Sequence, residues 1–517
     1  MKATAAMAGS AGFGTYALES DTFESTIERK LELLHSDFLY KSWWETLAPY
    51  SAEFCGTFLL TLTYLCNASA GDATWAVTSN AVMMMVVMYA FGHISGGNLN
   101  PAISLAVWLA RRQAFRTTCQ FCFVQILGAA FAALVFYRFA HIEVNLGPKP
   151  GYGWWEVMMV ELIYTSMICF VYLNCAASRG NNPLGSPNGF MGLAVGLTYI
   201  AGGYASLQIS GTVMNPAVAV GLSLVDKHPW GLKYLPMEII GCFVAVSGYR
   251  LVRPKEMDAS LMLEPQDPLW QATLGGKVMA EFIGTFFLIL TKALNNIAPS
   301  KAEAWSVGAA LASMQYSLRG VSGGHFNPAV SLSTVLTSRR MCTKKNAVVY
   351  VFAQVLGGLA ASTVYGIVNH GGEILVRPPK EFEGRAGAIV LGEVIFTCLT
   401  SYTVMTTSVL TPVATKNRAN DVAGLAVGMC VAVGGFAVGN ISGAVLNPAM
   451  ALGFTGLNVI GGNMFQSAVM AYIFYEVGGA ILASCLFCLT HPHYFKTDAT
   501  SGVLLYSAQA SPAGSST

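Results

Sequence analysis

The sequence predicts an all-α membrane protein. It should hold two six-span bundles, each with two re-entrant half-helices in inverted repeats, twelve spans in total. Three observations predict this. Only 11% of the 517 residues are charged and 54% are hydrophobic, against roughly 25% charged in a soluble protein. Asn-Pro-Ala occurs four times, at Asn100–Ala102, Asn215–Ala217, Asn327–Ala329 and Asn447–Ala449. The second half of the chain also repeats the first.

A helical span needs about 20 mostly apolar residues. Twelve such segments lie near 47–68, 73–92, 114–139, 153–175, 188–208, 231–252, 272–293, 304–319, 345–368, 386–410, 421–439 and 466–489. Four shorter apolar pieces follow the boxes and are too short to span. The polar first 45 residues show no cleavable signal peptide and read as a tail with a short charged surface helix from Glu24 to Lys41.

The repeat is in register. Ala-Glu-Phe-x-Gly-Thr-Phe occurs at Ala52–Phe58 and Ala280–Phe286, and Gln-x-Leu-Gly at Gln125–Gly128 and Gln354–Gly357. Glu53 and Glu281 are 228 residues apart, Asn100 and Asn327 are 227 apart, and Glu161 and Glu393 are 232 apart, as are Asn215 and Asn447. Each half repeats internally: a glutamate-bearing span, a second span, a re-entrant box, a third span. An odd number of spans per unit makes successive units enter from opposite sides. The expected boundaries are a tail at 1–45, a first unit at 46–253, a linker at 254–270, a second unit at 271–490 and a tail at 491–517.

Basic residues orient the chain. Arg111, Arg112, Arg116, Arg179, Arg250, Arg253 and Lys255 mark one side in the first half. Arg339, Arg340, Lys344, Lys345, Lys416 and Arg418 do so in the second. Both termini share that side, which is expected to be cytoplasmic in the plasma membrane or an internal membrane. Asn67-Ala68-Ser69 is a candidate glycosylation sequon on the opposite side.

Asn is a strong N-cap, and Pro suits the first helical position because its missing N–H is not needed there. Each box therefore reads as a helix start. A helix can begin at membrane depth only where its entry is buried in protein or lines a watery cavity. Two opposed boxes can meet near the midplane, Asn100 with Asn215 and Asn327 with Asn447. Their amides would offer donors to a passing oxygen, and their positive helix ends would repel cations. Glu53, Glu161, Glu281 and Glu393 each sit in an otherwise apolar span, where an ionisable group is costly. The expected role is to accept hydrogen bonds from the exposed backbone of the re-entrant loops. Tyr234/Glu238 and Tyr472/Glu476 repeat in the last span of each half, with ion pairing or a subunit contact as the default reading.

The twelve cysteines form no framework. Cys119/Cys122 and Cys485/Cys488 have metal-ligand spacing but no second pair, so neither a metal nor a cofactor is expected. No nucleophile–base set points to an enzyme, and a net charge of +2 gives no case for nucleic acid.

At His93–Ala102, Ile209–Ala217, Ser322–Ala329 and Ile441–Ala449 the chain resembles the major intrinsic proteins, the aquaporin and aquaglyceroporin family. The likeness covers roughly 47–252 and 272–489, as two fused copies of a six-span member. It implies right-handed bundles, one pore per half, and four pores around an axis, which a fused pair reaches as a homodimer. It also implies filter positions: Asn80, Gly203, Thr212 and Val218 in half one; Val307, Gly435, Ala444 and Met450 in half two. Val218 and Met450 stand where the family carries arginine, and no aromatic or cation occupies either set. Asn98 replaces the histidine seen at His325, and Arg319 lies at the cytoplasmic mouth of half two. The expected function is passive conduction of water and small uncharged solutes such as glycerol, urea or ammonia-sized molecules across a lipid bilayer. The alternatives are a structural or adhesive protein with closed pores, or an ion-leaky channel.

Overall fold

The computed structural model describes residues 43–71, 73–140, 146–182, 188–226, 228–257, 272–297, 300–337, 342–382, 384–409, 419–460 and 468–492. Most of the expected tails and linker, and Arg339, Arg340, Lys416 and Arg418, lie outside them. From Tyr50 onward the chain forms one compact unit containing both halves.

The described residues form sixteen α-helices. In half one these are α1 (Trp43–Ala70), α2 (Ala73–Ser95), α3 (Pro101–Leu109), α4 (Phe115–Ala140), α5 (Trp154–Tyr172), α6 (Met191–Ser206), α7 (Pro216–Ser223) and α8 (Leu235–Val252). In half two they are α9 (Leu274–Asn295), α10 (Glu303–Ser322), α11 (Pro328–Thr337), α12 (Lys344–Val368), α13 (Ala386–Val409), α14 (Ala419–Ser442), α15 (Pro448–Ile460) and α16 (Ala468–Thr490). Half-helices α3, α7, α11 and α15 each begin at the proline of a box.

Nine of the long helices are long and apolar enough to cross a membrane by themselves; α1, α6 and α10 are not among them. α6 has only 16 residues, while α10 is long enough but rich in small and polar side chains. Nearly every residue of α6 from Gly192 to Ser206 is buried, as is α10 from Ser306 to Leu318. These helices face protein rather than lipid, so serines and Gln315 are tolerated there.

The two helices meet at the seam between the halves, where α5 and α6 pack on α9 and α10. Ser306 Oγ donates to Ala201 O at 3.0 Å and Ser313 Oγ to Ala194 O at 3.3 Å. Tyr164 Oη lies 3.2 Å from Thr291 Oγ1, and Phe190 stacks on Tyr316 with ring centroids 4.8 Å apart. Small side chains at such contacts let helix backbones approach closely where lipid supplies no hydrophobic drive. Within half two, α10 and α14 cross at glycines: a Cβ on Gly428 would stand 2.5 Å from both Gly308 O and Ala312 Cβ.

The basic loops converge beyond the end of α8. Glu256 pairs with Arg253 at 3.1 Å and Arg112 at 3.0 Å, and it accepts from Ser178 Oγ, Tyr249 Oη and Arg179 N. Burial pushes this carboxyl up, but the guanidinium of Arg253 and these donors outweigh it and hold it below the usual carboxylate range.

Candidate functional site

Each box caps its half-helix. Asn100 Oδ1 accepts from Ala102 N at 2.8 Å, Asn215 Oδ1 from Ala217 N at 3.0 Å, Asn327 Oδ1 from Ala329 N at 2.8 Å and Asn447 Oδ1 from Ala449 N at 3.0 Å. The half-helices meet tip to tip. Asn100 Nδ2 donates to Met214 O and Asn215 Nδ2 to Leu99 O, both at 3.0 Å. In half two Asn327 Nδ2 donates to Leu446 O at 2.8 Å and Asn447 Nδ2 to Phe326 O at 2.9 Å.

The loops before the boxes hold an uncommon backbone. Leu99, Met214, Phe326 and Leu446 have φ of 53°, 52°, 50° and 53°. This left-handed turn costs roughly 1–2 kcal/mol for a residue with a side chain. It aims two successive N–H groups at one point, and a glutamate stands there each time. Glu53 accepts from Asn98 N at 3.0 Å, Leu99 N at 2.6 Å, Ser95 Oγ at 2.5 Å and Gln125 Nε2 at 2.7 Å. Glu281 takes the same set: His325 N at 3.0 Å, Phe326 N at 2.7 Å, Ser322 Oγ at 2.5 Å and Gln354 Nε2 at 2.8 Å. Glu161 accepts from Val213 N, Met214 N and Ser210 Oγ, and Glu393 from Val445 N, Leu446 N and Ser442 Oγ. Charge-assisted bonds of this kind are about twice as strong as neutral ones.

The default reading of Glu476 as an ion pair or subunit contact does not hold. Its Oε1 accepts Asn447 N at 2.6 Å, one more brace on the second box, and Tyr472 Oη donates to Ser442 O at 2.5 Å. Glu238 is buried in the matching place beside Asn215.

The half-two positions Val307, Gly435, Ala444 and Met450 line one cavity of about 420 Å³ together with Asn327 and Asn447. It runs from Ser300 and Lys301, in the α9–α10 loop, down to His325. His325 Nδ1 lies 3.0 Å from Ser331 Oγ. One cation in the wall carries no sequence signature. Lys292 Nζ bonds Glu303 Oε1 at 2.5 Å and Gly443 O at 3.3 Å, next to Ala444. A lysine at the end of a span reads from sequence as a surface charge, so only the fold reveals it.

Half one places its residues differently. Asn80 Oδ1 accepts from Asn67 Nδ2 at 2.7 Å, so the nitrogen a glycan would take is engaged within the last turns of α1. A Cβ on Gly203 would stand 2.3 Å from Val77 Cγ1, and Thr212 and Val218 are buried. Asn98 donates to Ser104 Oγ and Gln113 Oε1. Asn100 Nδ2 also donates to Tyr199 Oη at 3.1 Å. Among the described residues no cluster of three metal-ligating side chains occurs, and Arg319 has terminal nitrogens that are buried without a partner.

The profile of the family described as Major intrinsic protein matches residues 41–249, 269–453 and 386–512. The chain belongs to the major intrinsic protein family. Aquaporin AqpM of Methanothermobacter thermautotrophicus is 33% identical over 165 residues, 30% of this chain and 65% of that protein. The chain therefore spans just under two thirds of that relative's length. Aquaporin NIP1-3 of Oryza sativa subsp. japonica is 34% identical over 227 residues, 40% of this chain and 75% of its own length. Probable aquaporin NIP7-1 of Arabidopsis thaliana is 30% identical over 219 residues, 40% of this chain and 76% of its own. Three matched stretches make this a multi-pass membrane member of the family with its domain repeated.

Proposed function

We propose that this protein is a passive channel for water and small uncharged solutes. One observation carries the proposal. In half two, the tips of α11 and α15 meet, and Asn327 and Asn447 face a cavity of about 420 Å³. Each asparagine amide has two hydrogens, and one goes to the opposite loop's carbonyl. The other is free to donate to a permeant oxygen, while the paired positive helix ends disfavour cations. The mechanism is passage past fixed donors, without covalent chemistry or energy coupling.

The wall is short of charge where the family carries arginine, since Met450 stands there. Lys292 brings a cation to the same mouth, tied to Glu303. Ala444, Gly435 and Val307 leave the constriction small-walled and largely apolar, which suits solutes such as glycerol or urea as well as water. We place both termini on the cytoplasmic side, because the basic loops carrying Arg112, Arg179 and Arg253 gather at one end. The arrangement of channel units at 46–253 and 271–490 suits a homodimer with four such bundles around one axis. Osmotic shrinkage and glycerol-driven swelling of proteoliposomes test the proposal; flux no faster than protein-free vesicles would reject it.

A further inference from the structure

The two halves share a backbone plan but not a lumen. Glu161 and Asn215 have their counterparts 232 residues on, at Glu393 and Asn447. In the same register Tyr172 answers to Val404 and Tyr199 to Val431. Val404 and Val431 both line the half-two cavity, beside Asn327 and Asn447. The two tyrosines therefore project from the wall positions of half one.

Their hydrogen bonds show what they do there. Asn100 Nδ2 has two hydrogens. One goes to Met214 O at 3.0 Å and the other to Tyr199 Oη at 3.1 Å. Asn100 therefore has no amide hydrogen left for a permeant. Asn215 approaches the same hydroxyl. Among the described residues, Asn327 Nδ2 has the backbone carbonyl of Leu446 as its one acceptor, and the side chain lines the cavity. Exposure agrees: Asn100 and Asn215 are 0% exposed, while Asn327 keeps 6% and Asn447 3%. On the side of the box nearer the α2 end, Tyr172 Oη lies 2.8 Å from Gly96 O and 2.7 Å from Asn98 Oδ1, tying α5 across to the loop. Tyr199 is 1% and Tyr172 4% exposed. With its ring buried and its hydroxyl bonded to Asn100, Tyr199 takes the place beside the asparagines that Val431 leaves open to the cavity in half two.

We propose that half one is a sealed bundle, closed at its asparagine pair by Tyr199 and Tyr172, and that all permeation runs through half two. This rests on the channel reading above and narrows it to one conducting pore per chain. Half one then acts as a scaffold, presenting α5 and α6 to α9 and α10 across the seam.

The test uses the full chain, purified and reconstituted in phosphatidylcholine vesicles, with stopped-flow light scattering after a sorbitol step. Val404→Tyr/Val431→Tyr transplants the seal into half two. Tyr172→Val/Tyr199→Val removes it from half one. The first variant is expected to lower water flux to that of protein-free vesicles, and the second to raise flux to about twice wild type. Combining all four is expected to restore flux near wild type, which shows that loss in the first variant is not misfolding. About half of wild-type flux remaining in the first variant would overturn the seal, and so would no gain in the second. Wild-type flux no better than bare vesicles would instead reject the channel reading. The second variant then judges the seal alone: a gain over wild type supports it, and no gain overturns it.

Discussion

Replacing Glu281 by glutamine removes one acceptor oxygen from the loop that carries the third box. Glu281 receives four donors: Ser322 Oγ and His325 N on one oxygen, Phe326 N and Gln354 Nε2 on the other. A glutamine can keep one of these pairs. Its NH₂ group then faces the other pair donor to donor. Gln354 offers a partial repair, because its Oε1 is buried without a partner and an amide flip would present it. That flip costs the 3.0 Å bond from Gln354 Nε2 to Ser331 Oγ. Phe326 N has no substitute acceptor, and an orphaned buried donor costs about 1–3 kcal/mol. Losing the charge on the two retained bonds adds roughly 1 kcal/mol. The expected destabilisation is thus about 2–4 kcal/mol, read from equilibrium unfolding in mixed micelles. Glu281→Gln within about 0.5 kcal/mol of wild type would refute the claim that this carboxylate holds the loop, given the donors it satisfies.

Three other outcomes are expected. Lys292→Met leaves Glu303 as an unpaired carboxylate at the cavity mouth; a unit charge ~8 Å from a path is worth about 2 kcal/mol at an effective dielectric near 20. Vesicle cation flux should rise by up to roughly thirtyfold on that figure, measured with a potassium gradient and a potential-sensitive dye. Glu256→Gln leaves Arg112 and Arg253 without their carboxylate and should cost about 2–3 kcal/mol at neutral pH. Because the Glu256 carboxyl lies below its ordinary value when folded, its stabilisation is full above about pH 4.3 and is lost as pH falls through the lowered value. The melting temperatures of wild type and Glu256→Gln should therefore converge only in strong acid. Gly428→Ala would put a methyl group 2.5 Å from Gly308 O, forcing α10 and α14 apart at a cost of about 1–3 kcal/mol, visible as a lower melting temperature.

Much of the fold was legible because a bilayer restricts what a chain can do. Spans must be apolar and helical, and the duplicated phrases located both halves. Asn-Pro-Ala announces a helix start by its own chemistry, and the observed caps at Asn100, Asn215, Asn327 and Asn447 have that form. The polar character of α10 was harder to interpret, because burial in a seam between halves leaves no mark that differs from a weak span. Glu476 showed itself as an anomaly without a partner, since its partner is a backbone N–H from a distant loop. Tyr172 and Tyr199 look like ordinary aromatic residues in apolar helices. The signal that could have found them is the comparison of the halves in register, where both positions change to valine in the copy that keeps a cavity.

The central claim, that opposed helix tips with free asparagine donors conduct small neutral molecules, is tested most directly by the wild-type chain in vesicles. A sorbitol step with a proton-sensitive dye inside should give shrinkage several-fold faster than in protein-free vesicles, with no added proton entry. Shrinkage at the protein-free rate, or proton entry that rises with protein, would contradict it.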